Sequence, residues 1–136
     1  MSGADTTYRD WLRSGEEDRL NIANNLAAES IPWTTVCFHS QQAAEKYLKA
    51  LLVFHRRLPP RIHDLVALLT LCVELNAELA ELQPECALLA DYAVEVRYLS
   101  DLLDVTAEDG RRAVEAMERI CSEVELRLTQ DTEVGV

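Results

Sequence analysis

The sequence predicts an all-α protein, an up-and-down four-helix bundle with one additional helix. Apolar residues recur every three or four positions along most of the 136-residue chain, which is the spacing of one buried helix face. Hydrophobic residues make up 49% of the chain, and only four glycines and four prolines are present. Because an all-β fold needs more turn residues, this composition favours helices joined by short connections. We expect a single helical domain across residues 1–136, with an ordered core at about residues 6–129.

The spacing of apolar residues predicts five helices, at about residues 7–29, 33–55, 62–82, 85–103 and 107–128. In the first of them, Gly15 lowers helix stability by about 1 kcal/mol relative to alanine. Pro32 suits the first turn of the second helix. The "RLPP" stretch must end that helix, because proline cannot continue the hydrogen-bond ladder. The third helix is apolar around most of its circumference, which predicts a central position in the bundle.

The later helix boundaries are marked by proline and by capping residues. Pro84 separates the third helix from the fourth, and Thr106 with Asp109 has the spacing of a capped start for the fifth. Asp64 is suited to cap the third helix. Since the connections are short, helices that follow one another in sequence should pack as antiparallel neighbours.

Charge and hydropathy argue against several classes of function. No apolar run approaches the roughly 20 residues needed to span a bilayer, and the N-terminus lacks the apolar centre of a signal peptide. We therefore expect a cytoplasmic protein with no membrane association. The formal net charge is −11, which disfavours RNA binding because such proteins normally supply dense Lys and Arg. One exception is "HRRLPPR", residues 55–61, which holds three of the thirteen basic residues.

The cysteines and histidines predict neither a metal site nor a cofactor. No CxxC pair and no HExxH spacing is present, and each cysteine falls in an apolar helical stretch. We expect reduced, packed thiols. The residues concerned are Cys37, Cys72, Cys86, Cys121, His39, His55 and His63.

Polar residues fill one side of the second helix, within "FHSQQAAEKYLKALLVF", residues 38–54. This stripe includes Glu45, Lys46 and Lys49, and Glu45 with Lys49 has the favourable i, i+4 order of a helix-stabilising pair. Two interpretations remain open. The stripe is either a solvated face or a polar groove that binds a ligand or a partner.

Two further polar positions call for an explanation. Arg97 shares its side of the fourth helix with small apolar residues, so it must meet an acceptor or reach solvent. That acceptor is either an internal or partner carboxylate, Glu45 or Asp64 for example, or the phosphate or carboxylate of a ligand. At the start of the third helix, Arg61 and His63 could contribute to an anion site, since exposed backbone N–H groups there favour negative charge.

These residues also carry a resemblance to a known family. "QAAEKYLKAL" from Gln42 to Leu51, the "HDL" at residues 63–65 and the "RY" at residues 97–98 closely resemble the motifs of HEPN domains, although Leu99 replaces the usual proline. The resemblance implies a four-helix up-and-down bundle with an extra helix, usually a homodimer and often encoded beside a minimal nucleotidyltransferase. Many members are metal-independent ribonucleases that use an arginine and a histidine, with four to six residues between them, on a late helix.

The sequence departs from that ribonuclease pattern, because no histidine follows Arg97. A formal match exists for Arg57 with His63, but two prolines place it in a loop. The candidate catalytic residues are therefore Arg57, His63 and Arg97.

The preferred interpretation is a non-catalytic module of a toxin–antitoxin-like or regulatory pair, in which a polar cleft binds a nucleotide-like anion or seats a nucleotidyltransferase. The residues expected to line that cleft are Glu45, Lys46, Lys49, His63 and Arg97. The alternatives are an endoribonuclease with a displaced motif and a helical oligomerisation module without a ligand.

Overall fold

The computed structural model describes residues 6–93 and 105–133, which form α-helices and one short 3₁₀ helix and contain no strand. The elements are α1 (Tyr8–Leu26), α2 (Trp33–Phe54), α3 (Leu65–Val73), the 3₁₀ helix (Ala77–Leu82), α4 (Gln83–Ala90) and α5 (Ala107–Glu133). This architecture confirms the all-α prediction. Within the described residues, no helix is both long enough and apolar enough to cross a membrane.

The central element of the bundle is α2, not the third helix as the sequence suggested. Helix α2 packs against α1, α3, α4 and α5, and its apolar side is almost completely buried. The third helix contains only nine residues, and Val66, Leu71 and Val73 on it are half-buried. A broad apolar circumference therefore did not identify the centre, because α3 is too short to contact every other helix.

The third helix is also shorter than predicted. Asp64 caps its start, where Oδ1 accepts hydrogen bonds from the N–H groups of Val66 at 3.0 Å and Ala67 at 3.2 Å. The α-helix ends at Val73. Asn76 then caps the 3₁₀ helix by accepting from the N–H of Glu78 at 3.1 Å. A side chain that competes for backbone N–H groups in this way interrupts a helix that apolar spacing alone would continue.

The predicted fourth helix begins two residues early, at Gln83, with Pro84 in its first turn. It is described to Ala90, and residues 94–104 lie outside the described part of the chain.

Reciprocal hydrogen bonds fix the starts of α1 and α5. Thr7 Oγ1 accepts from the N–H of Asp10 at 3.2 Å, and the Asp10 carboxylate accepts from the N–H of Thr7 at 2.9 Å. These bonds to Thr7 lower the pKa of Asp10. Thr106 and Asp109 form the same arrangement, with both hydrogen bonds 3.1 Å long. The predicted start of α5 is confirmed.

Two glycines allow close approach between helices. A Cβ atom on Gly15 would lie 2.8 Å from the Cδ1 and Cε1 atoms of the Tyr47 ring, and one on Gly110 would overlap Cε3 of Trp33. The low helix propensity of Gly15 is therefore offset by the packing of an aromatic ring directly against the α1 backbone.

All four cysteines are buried, as predicted. Burial raises the pKa of Cys72 and of Cys86 to about 12, and it also raises the pKa of Cys121. These thiols stay protonated near neutral pH and pack as small apolar side chains.

Candidate functional site

Residues 55–64 connect α2 to α3, and we call this segment the basic loop. Its start is fixed by a hydrogen-bonded helix ending, in which the N–H of Arg57 donates to the carbonyl of Leu52 and the N–H of Arg56 donates to the carbonyl of Val53, both at 2.9 Å. This pairing is the Schellman motif, which requires a left-handed residue after the C-cap. Arg56 takes that position with φ of 62°.

Arg56→Gly is expected to increase the free energy of unfolding by about 1 kcal/mol. Glycine is the usual residue at this position because a Cβ atom makes the left-handed conformation costly by roughly 1–2 kcal/mol, part of which is returned by the greater freedom of glycine in the unfolded chain. Urea unfolding of the variant and the wild-type protein measures the difference. Arg61→Gly, at another exposed arginine of the basic loop, serves as the control and should not stabilise the protein. A loss of stability in Arg56→Gly would contradict this account of the helix ending.

The end of the basic loop is held by a polar network on α2. The carboxylate of Glu45 faces Nδ1 of His63, with its two oxygens at 3.0 and 3.2 Å, and accepts a hydrogen bond from Lys49 Nζ at 3.1 Å. Gln41 donates to Glu45 at 3.2 Å and to the carbonyl of His63 at 3.1 Å, and it accepts from Gln42 at 2.6 Å. Both the ring and the main chain of His63 therefore contact polar side chains of α2.

Burial differs sharply across this network. The side chains of Glu45 and Lys49 are 5% and 6% exposed, whereas the His63 side chain is 68% exposed. The Lys49 ammonium lies over the Trp11 ring, 5.4 Å from its centroid. Because Nδ1 of His63 faces Glu45, Nε2 is the nitrogen left to meet a group from solvent.

Lys46 belongs to a second, separate cluster. Asp18 on α1, which is 7% exposed, accepts from Lys46 Nζ at 2.6 Å and faces Nδ1 of His39 at 2.7 Å. The two lysines of the predicted cleft thus have different carboxylate partners, and the structure joins only Lys49 to the His63 network.

The arginines of the basic loop have different surroundings. Arg57 forms an ion pair with Glu74 at 3.1 Å, while Arg56 and Arg61 are exposed and pair with no carboxylate among the described residues. The predicted contribution of Arg97 concerns a residue outside the described part of the chain.

A further polar group bridges three helices and was missed by the sequence reasoning. Arg19 donates to the Tyr47 hydroxyl at 3.1 Å and forms ion pairs with Glu118 at 2.7 Å and Glu125 at 2.8 Å. Burial raises the pKa of Tyr47 to about 12, so the hydroxyl stays protonated near neutral pH. Beside this group, α1 and α5 leave a groove of about 820 Å³.

Gln41 and Asp18 were also not predicted as site residues. Gln41 lies one helical turn before Glu45, a spacing that could have linked the two. No comparable sequence signal connects Asp18 with Lys46, which lie 28 residues apart. Among residues 6–93 and 105–130, no three His, Cys, Asp or Glu side chains are grouped so that they could hold a metal ion.

Comparisons with protein families and with solved structures find relatives of this chain. The family model described as the HEPN domain matches residues 8–127. The crystal structure of an archaeal HEPN homologue is similar to this chain with a TM-score of 0.72 and 23% sequence identity, over 90% of this chain and 98% of the homologue. At that identity the structural likeness shows the fold alone. A comparison with curated proteins finds no match.

Proposed function

Because the chain belongs to the HEPN domain family, we propose that it is a non-catalytic HEPN module that binds a nucleotide-like anion and works with a minimal nucleotidyltransferase. The anion site of this proposal is the exposed side of the basic loop, formed by His63 and Arg61. The partnership follows from what the family resemblance implies. We further propose that the module is a cytoplasmic homodimer in a toxin–antitoxin-like or regulatory pair.

The observation that carries the proposal is the buried Glu45–Lys49 pair beneath an exposed histidine. Burying two charges is costly, and well-packed apolar residues would often be at least as stable. This pair instead holds the ring and, through Gln41, the backbone of His63. Such a support is expected beneath a residue whose position matters for binding.

The chemistry of the basic loop suits a phosphate group. In its imidazolium form, His63 donates from Nδ1 to Glu45 and has Nε2–H free to donate to a phosphate oxygen. Arg61 adds a planar, permanently charged fork that can bind two oxygens at once. Glu45 positions the histidine and Lys49 holds Glu45, because the buried carboxylate contacts both the Lys49 ammonium and the His63 ring.

Isothermal titration calorimetry with ATP tests the anion site. We expect His63→Ala and Arg61→Ala each to weaken ATP binding by about 10- to 100-fold, which corresponds to the loss of one charge-assisted hydrogen bond. Arg112→Ala is the matched control, since Arg112 is an exposed arginine on α5 near the opposite end of α2. Adenosine, which lacks phosphate, should not bind measurably. Equal ATP affinity in the wild-type protein and His63→Ala would reject the site.

A second function, metal-independent RNA cleavage, is favoured by the same carboxylate–histidine contact. A carboxylate at Nδ1 orients an imidazole so that Nε2 can act as a general base. In that reaction Nε2 of His63 takes the proton of a ribose 2′-OH, the 2′-oxygen bonds to phosphorus, and the 5′-oxygen leaves with a proton from water. The products are a 2′,3′-cyclic phosphate and a free 5′-hydroxyl.

An RNA-cleavage assay in EDTA distinguishes the two functions. Wild-type protein, His63→Ala, Arg57→Ala and the control Arg112→Ala are purified identically to exclude a contaminating nuclease. Cleavage that disappears with His63→Ala and leaves cyclic-phosphate ends would replace the non-catalytic proposal by the ribonuclease. No cleavage by the folded wild-type protein rejects the ribonuclease.

A further inference from the structure

Arg57 differs from the other arginines of the basic loop because it has a carboxylate partner among the described residues. Its guanidinium lies 3.1 Å from the carboxylate of Glu74, at the end of α3. The backbone of Arg57 is fixed separately, since its N–H donates to the carbonyl of Leu52 at 2.9 Å. A change of partner at Arg57 therefore requires only a rotation of its side chain.

The position of Glu74 in α3 does not by itself favour a carboxylate. Glu74 is the C-cap residue of α3, and the last turn of that helix contains no basic residue. The unpaired carbonyl groups at a helix C-terminus carry partial negative charge, so a basic residue is preferred there and a carboxylate is disfavoured. The contact with Arg57, rather than the stability of α3, therefore explains a glutamate at this position.

The pair between Arg57 and Glu74 is weak enough to be exchanged for a ligand. The two side chains are 46% and 55% exposed. Ion pairs between exposed side chains contribute little to stability, because water and salt screen them. A phosphate group can carry more negative charge than a carboxylate, and it accepts two hydrogen bonds from a guanidinium at once. A phosphate that reaches Arg57 can therefore replace Glu74.

The path of the basic loop sets Arg57 apart from the two residues of the proposed anion site. Three residues, two of them prolines, lie between Arg57 and Arg61, and His63 follows two positions later. Residues 57–60 belong to no helix. Consecutive prolines favour an extended backbone that rises about 3.1 Å per residue, which places the two arginines roughly 12 Å apart along the chain. Arg61 and His63 can share one phosphate, whereas a longer chain of phosphates is needed to meet Arg57 as well.

We propose that Arg57 is a third cation of the anion site, held in reserve by Glu74, and that it makes the site prefer nucleoside triphosphates to monophosphates. When a triphosphate binds, the guanidinium of Arg57 leaves Glu74 and pairs with the phosphate furthest from Arg61. A monophosphate leaves the pair between Arg57 and Glu74 intact. This assignment rests on the proposed function, in which Arg61 and His63 bind phosphate, and it adds the class of nucleotide that the site selects.

Isothermal titration calorimetry of the full-length protein with ATP and with AMP tests the assignment. We expect Arg57→Ala to weaken ATP binding about 5- to 10-fold and to leave AMP binding unchanged. Glu74→Gln removes the charge and keeps the size of the side chain, so it should tighten ATP binding about two- to fivefold without an effect on AMP. In the double variant Arg57→Ala/Glu74→Gln, the gain from Glu74→Gln should disappear.

Two control variants separate this contact from the overall charge of the protein. Glu81→Gln removes one negative charge from an exposed residue of the 3₁₀ helix, and Arg112→Ala removes one positive charge from α5. Neither should change the ratio of ATP affinity to AMP affinity. If Glu81→Gln tightened ATP binding as much as Glu74→Gln does, the role of Glu74 would be overturned.

The remaining outcomes distinguish a failure of this assignment from a failure of the proposed function. If His63→Ala weakens ATP binding while Arg57→Ala and Glu74→Gln bind like the wild-type protein, the anion site stands and the role of Arg57 is overturned. A loss of ATP and AMP affinity by the same factor in Arg57→Ala also overturns it, because Arg57 would then not distinguish the two nucleotides. If the wild-type protein binds neither nucleotide, the anion site and the role of Arg57 are both rejected.

Discussion

Replacing Glu45 with alanine is expected to lower the free energy of unfolding by about 3–5 kcal/mol. The substitution leaves the Lys49 ammonium without its carboxylate, in a side chain that is 6% exposed and lies against the Trp11 ring. It also removes the acceptor that faces His63. Urea unfolding followed by circular dichroism measures the change. Glu17→Ala, at an exposed glutamate of α1, is the control and should stay within about 0.5 kcal/mol of the wild-type protein.

The double variant Glu45→Leu/Lys49→Met separates stability from function. Replacing both charges with apolar side chains of similar size should restore stability to within about 1 kcal/mol of the wild-type protein, because no buried charge is left uncompensated. The same variant leaves His63 without its carboxylate, so it should bind ATP more weakly than the wild-type protein. A double variant as unstable as Glu45→Ala would contradict the view that the uncompensated lysine causes the loss.

Replacing Gly110 with alanine is expected to lower the free energy of unfolding by about 2–3 kcal/mol. The added Cβ would overlap Cε3 and lie 2.8 Å from Cζ3 of the Trp33 ring, so α5 or the indole must move. The cost of such overpacking exceeds the gain of about 1 kcal/mol in helix propensity. Thermal unfolding followed by circular dichroism gives the shift in stability.

The variants Gly110→Ala and Trp33→Leu, alone and combined, test this mechanism. A smaller side chain at position 33 makes room for the new methyl group, so the two substitutions should be less than additive in a double-mutant cycle. Strictly additive losses would show that the contact with Trp33 is not the origin of the effect.

Much of the fold could be predicted from local sequence. Apolar spacing indicated each α-helix but did not separate α3 from the 3₁₀ helix that follows it. Thr7, Asp64 and Thr106 cap helix starts as side-chain chemistry would suggest. The central position of α2 could not be predicted in the same way, because it depends on which helices pack around it. Gly15 shows the same limit. Its helix propensity is unfavourable, and its presence in α1 is explained only by the close approach of the Tyr47 ring from another helix.

Only part of the candidate site could be predicted from the sequence, again because some of its contacts join different elements. Glu45 and Lys49 are four residues apart on one helix, so their pairing follows from the sequence alone. Lys46 lies on the same predicted stripe, yet it pairs with Asp18 of α1, which no local pattern indicates. The contact between Glu45 and His63 likewise depends on the path of the basic loop. Contacts within one helix follow from the spacing of residues in the sequence. Contacts between elements depend on the three-dimensional fold and cannot be read from a local pattern.

The central claim, that the basic loop is the anion site, is tested most directly by a ¹H–¹⁵N NMR titration of the wild-type protein with ATP. We expect saturable shifts confined to the amides of Arg61, His63 and their loop neighbours, and a shift of the His63 ring resonances. Amides near Arg112 should not move. Shifts centred on the groove between α1 and α5, or the absence of shifts at millimolar ATP, would contradict the claim.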